Sequence, residues 1–137
     1  MAVCHRDEGP AGRVCEDSEH TGSAESGLAK TAYVLGITAG KKTFTHNGKP
    51  DRFGLHDTGA ALANLMIQAT ASGLHVHAMG GFDAALARTE FGVPEDFEVG
   101  AAFAIGYVDG PATPPADRTR KPLEELVFGT EWGKPVF

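Results

Sequence analysis

The sequence predicts an α+β fold with few strands and one dominant helix. Three observations carry that expectation. Residues 32–38 (AYVLGIT) and 97–108 (FEVGAAFAIGYV) are nearly continuous apolar runs, the pattern of strands covered on both faces. Residues 55–72 place Leu62, Leu65, Met66 and Ala69 at helical spacing. Turn signals separate these blocks, so each is an element of its own.

Bulk properties narrow the field. With 137 residues the chain has the length of one domain, and 42% hydrophobic residues are enough for a core if most of the chain takes part. A net charge of −6 argues against a general nucleic-acid binder, so any anion is held locally. No run approaches the roughly 18 apolar residues of a membrane span, and the amino terminus lacks an apolar signal region. No membrane association and a cytoplasmic location are therefore expected.

Residues 1–30 are rich in Gly, Ser, Glu and Asp without a persistent period, and are expected to be a disordered or weakly ordered tail. Cys4, His5, Cys15 and His20 are potential zinc ligands, but their spacing matches no standard finger, and adjacent Cys4 and His5 strain tetrahedral closure. A solvated tail is the better reading. Residues 31–137 then form the folded part. Residues 39–51 are a polar connection marked by Gly40 and by Asn47-Gly48-Lys49-Pro50. The long helix follows, with Asp57 or Thr58 as its expected cap and Gly73 as its stop. Its alanine-rich surface is apolar all round, which implies either a central core helix or one packed against a partner subunit. A strand at 74–79 has Leu74, Val76 and Ala78 on one face. Asp83 caps a short helix at 84–91, which Gly92-Val93-Pro94 ends. After the strand at 97–108 come a Pro-rich linker at 109–116 and an extended tail.

Two stretches carry potential chemistry. In Met79-Gly80-Gly81-Phe82-Asp83, two glycines lie between a strand end and a helix cap, so a flat ligand can approach the bare backbone. Ordinary tight turns use the same pair. In Arg118-Thr119-Arg120-Lys121-Pro122, alternation puts Arg118 and Arg120 on one face, where two guanidiniums suit a phosphate dianion. The competing reading is a solvated basic cluster offset by Glu124 and Glu125. His75 and His77 share a strand face, but no third metal ligand is evident. No metal site is expected. No Gly-x-Ser-x-Gly elbow, cysteine nucleophile or useful carboxylate pair is visible, and no protein side chain is singled out as catalytic.

The order of the pieces HDTGAALANLMIQATASGLHVHAMGGFD (56–83), FGVPEDFEVGAAFAIGYVDG (91–110) and RTRKPLEELVFGTEWGKP (118–135) resembles the nitroreductase family of FMN enzymes. The likeness runs from Tyr33 to the end. It implies a truncated nitroreductase-like fold, a mainly antiparallel sheet packed on a long central helix. It also implies an FMN-dependent oxidoreductase that takes electrons from NAD(P)H and passes them to a nitroaromatic, quinone or similar acceptor. By resemblance, Met79, Gly80 and Gly81 lie along the flavin ring, with the Gly81 amide donating to N5, and Arg118 and Arg120 hold the FMN phosphate. The long helix and the tail after Leu123 correspond to parts that meet the partner in a homodimer. One feature departs from the family: nothing in residues 1–30 matches its Arg-x-Ser-x-Arg-like motif. The amino-terminal half is expected to be missing, so an inactive fragment or a non-flavin phosphate-binding module is the alternative.

Overall fold

The computed structural model describes residues 2–5, 32–108, 110 and 119–137. Its elements run β1 (Ala2–His5), β2 (Val34–Lys41), α1 (Gly54–Ala71), β3 (His75–Met79), α2 (Ala84–Glu90) and β4 (Phe97–Gly106), then a 3-10 turn, Leu123–Glu125. The strands form one sheet in the order β1-β2-β4-β3, and every neighbouring pair is antiparallel. Since β2 and β3 both run against β4, they run parallel to each other. The connection between them is α1, which crosses the sheet on one face.

The expected elements are present, with boundaries moved by a few residues. The added strand is β1, inside the stretch expected to be a tail: Ala2 to His5 pair with Ile37 to Val34. Four residues with no period of their own carry no local signal for this, because the pairing partner supplies it. Residues 6–31, with Cys15 and His20, lie outside the described residues, as do most of the Pro-rich linker and Arg118.

Alternation assigns the two faces. Leu35 and Ile37 of β2, Ala102 and Ala104 of β4 and Met79 of β3 are buried on one face against Ala87 of α2. Phe82, Leu86, Phe91 and Val93 pack around this cluster. On the other face, Gly36 is in register with Phe103, which is fully buried. That is the α1 face, where Ala69 of the helix is also buried.

The position of α1 follows from a close backbone approach. Gly36, Thr38 and Gly40 alternate on its face of β2. A Cβ on Gly40 would lie 2.6 Å from the Gly54 carbonyl, and one on Gly54 would run into the Lys41 carbonyl. The first turn of α1 therefore rests on the end of β2 with no side chain between them. This contact replaces a side-chain cap: the N-cap position is Phe53, without a capping bond. Neither Asp57 nor Thr58 caps the helix. Asp57 bonds His56 instead, and the Thr58 hydroxyl donates back to the Gly54 carbonyl at 2.6 Å. The carboxyl terminus is as expected. Gly73 has φ of 76°, and Leu74 and Gly73 donate to the carbonyls of Ala69 and Thr70, the paired bonds of a Schellman stop.

Full burial of α1 is not met within this chain. Ala69 is its only buried residue, and Ile67 is 69% exposed.

The register of β2 and β4 slips between Ile37 and Ala39, where β4 carries one extra residue opposite Thr38. Thr38 is the buried polar residue at this irregularity. Its hydroxyl accepts from the Ala101 N–H at 2.9 Å and donates to the Ala101 carbonyl at 3.0 Å. One side chain thus satisfies both polar groups of a backbone unit that has left the ladder. Replacing Thr38 by Val keeps the shape and leaves both groups unpaired. Thr38→Val is expected to lower the unfolding free energy by about 1–3 kcal/mol, read from denaturant midpoints. Thr38→Ser, which keeps the hydroxyl, should retain most of the stability.

Candidate cofactor site

β3 ends at Met79, in register with Ala102. The Met79 side chain is 3% exposed and belongs to the core cluster. It anchors the strand end. Gly80 comes next and is exposed, with nothing within 4 Å of where a Cβ would stand. Gly81 is half-buried. The Phe82 N–H donates to the Gly80 carbonyl at 3.1 Å, closing a tight turn.

Asp83 then starts α2 as expected. Its Oδ1 accepts from the Ala85 and Leu86 N–H groups, each at 2.9 Å. The other end of α2 is held by Gly92, with φ of 60°, and by Arg88. The Arg88 guanidinium donates to the carbonyls of Val93, Pro94 and Phe97 at 3.3, 2.8 and 2.7 Å. Sequence reasoning missed this clamp. The available signal was a cation in the last turn of a helix just before a Gly-x-Pro stop. The Gly80-Gly81 turn therefore joins a strand fixed in the sheet to a helix fixed at both ends.

The basic segment is only partly described. Arg118 lies outside the described residues, so the expected pair with Arg120 is not formed among them. Arg120 is exposed and sits in the extended stretch before Pro122. Lys121 pairs with Glu125 at 3.7 Å, so part of the positive charge there is offset within the tail. His75 and His77 are both exposed on β3.

Beyond the 3-10 turn the tail folds on itself. Phe128 bridges Pro135, Gly129 donates to the Lys134 carbonyl, and the Phe128 and Trp132 rings lie 5.0 Å apart. Trp132 is 92% exposed, and Leu123, Leu126, Val136 and Phe137 are each more than half exposed.

Comparison with known proteins gives this geometry a context. The Nitroreductase family pattern matches residues 6–107. The chain belongs to the nitroreductase family. The match reaches well into residues 6–30, where the sequence motifs alone showed no family feature. An uncharacterized 15.4 kDa protein in the ask 5′ region of Mycolicibacterium smegmatis is 37% identical over 93 residues, 62% of this chain and 63% of that protein. The crystal structure of an oxidoreductase containing FMN matches with a TM-score of 0.75 and 28% identity, over 95% of this chain and 69% of that one. A nitroreductase family protein from Clostridium difficile 630 matches with a TM-score of 0.59 and 27% identity, over 74% of this chain and 62% of that one. This nitroreductase-family chain thus spans under two thirds of the length of the Mycolicibacterium relative.

Gly80 shows whether a flat group such as a flavin would fit this turn. Open space where a Cβ would stand, on a turn fixed at both ends, suits the edge of a planar ring. A side chain there should be tolerated by the fold itself. Gly80→Leu is expected to change stability by no more than about 0.5 kcal/mol. Gly92→Leu, at positive φ, should cost about 1 kcal/mol or more. Thermal unfolding of the two variants checks the contrast.

Proposed function

We propose that this chain works as an FMN-dependent oxidoreductase, taking electrons from NAD(P)H and passing them to a nitroaromatic, quinone or similar small acceptor. The observation that carries the reading is the turn at the end of β3, open at Gly80 and held between a strand and a helix, in a member of the nitroreductase family. FMN, when bound, supplies the redox chemistry. The chain's own residues position it. The backbone of Met79, Gly80 and Gly81 lies along the ring, the Gly81 N–H donates to N5, and Arg118 and Arg120 hold the phosphate through charge-assisted bonds. A protein acid or base is not required of this site.

The reading extends to a homodimer in the cytoplasm. Among the described residues no helix is long and apolar enough to cross a membrane. The exposed side of α1 and the exposed apolar residues of the tail favour a second copy as their cover, since exposed apolar surface of this extent marks interaction sites.

Two measurements test the proposal. The purified chain should take up FMN and show flavin absorbance between about 350 and 500 nm, and Gly80→Leu should lose that uptake while remaining folded. A colourless protein that ignores added FMN would overturn the reading in favour of an inactive fragment, or of a phosphate-binding module if it still binds inorganic phosphate. For assembly, analytical ultracentrifugation should show a dimer. Trp132→Ala is expected to weaken it by about 2 kcal/mol, as for a buried aromatic anchor, and an unchanged association constant would rule out the tail as the contact.

A further inference from the structure

We infer that Asp83 is a positioning residue for the flavin, acting through the Gly81 peptide. The inference rests on the proposed role of Gly81 as donor to N5. The strand before the turn and the body of α2 beyond its first turn are fixed independently of Asp83. On one side, β3 is locked to β4 by a register running from His75 opposite Gly106 to Met79 opposite Ala102. On the other, α2 is held by Ala87, fully buried against the sheet, and by the three bonds of Arg88. Between them lie four residues, Gly80 to Asp83. Two are glycines, whose peptides rotate with little steric resistance. Inside the turn, the Phe82 N–H bonds the Gly80 carbonyl, and the Gly81 N–H has no backbone acceptor among the described residues.

The orientation of that N–H is therefore set where the chain leaves the turn. Asp83 controls this point. Its backbone is extended, with φ of −78° and ψ of 103°, and its carboxylate ties that conformation to the first turn of α2 through Ala85 and Leu86. The helix has seven residues, too few to hold its first turn firmly by backbone bonding alone. Loss of the carboxylate frees the first turn, then the Phe82 peptide, then the angle at which Gly81 meets a ligand.

Charge-matched variants separate this role from electrostatics. Asp83→Asn is neutral and caps as well as Asp, whereas Asp83→Ala is neutral and does not cap. Asp83→Gly removes the acceptor at little cost to the helix and serves if the alanine variant does not fold. FMN titration and the midpoint potential of the bound flavin are measured for each. The Asn variant should bind FMN about five- to tenfold more tightly than the Ala and Gly variants. The potential in those two should be displaced from its value in the Asn variant. General loss of stability would not move that potential. If all three variants match in affinity and potential, the positioning role is wrong while the flavin reading stands. If the unaltered chain takes up no FMN, both fall together.

Discussion

The contact between Gly40 and Gly54 governs the arrangement around it. Helices normally stand off a sheet by the thickness of their side chains, but here the first turn of α1 lies directly on the end of β2. Any Cβ at either position would lift the helix. The lift would pass to Leu55, which sits close to Gly100 in the irregular part of β4. One pair of absent side chains thus sets the start of α1 and the depth at which its carboxyl-terminal half, with Ala69, meets the sheet. It also sets where the chain re-enters the sheet as β3.

The two faces of the sheet end up unequal. On the α2 side, apolar residues from three strands close around Ala87. On the α1 side, Phe103 and Ala69 are buried while much of the helix stays in solvent. The glycine turn belongs to the well-packed side, where Met79 and Phe82 flank it and both belong to or touch the core. Rigidity at the candidate site is therefore intrinsic to one copy of the chain.

The elements legible in the sequence were those with local causes. The stops at Gly73 and Gly92 and the Asp83 cap all depend on residues within a turn or two of one another. What the sequence concealed was set from far away. Thr38 looks like one more β-branched strand residue until it meets Ala101, 63 positions later. Asp57 and Thr58 are good capping types, yet α1 begins earlier because a glycine contact fixes its start. The strand Ala2–His5 has no pattern of its own and exists through pairing with β2. The turn at Gly80-Gly81 was legible because a double glycine between a strand and a cap is a local sign. The Arg88 clamp was not, since its acceptors are carbonyls that no sequence pattern marks.

The Thr38–Ala101 bond also bears on how the chain reaches its fold. β4 lies between β2 and β3, so neither can be completed until the last strand of the sheet has been made. Until then β2, with its buried Leu35 and Ile37, offers an apolar edge with no native partner beside it except β1. Non-local pairing of this kind slows folding and lengthens exposure to wrong partners. The Thr38 hydroxyl adds a check on that late step. A β4 docked one residue out of register would leave the bulge groups without their acceptor and donor in a buried place. The irregularity in the sheet therefore discriminates against misdocked chains as well as stabilising the correct one.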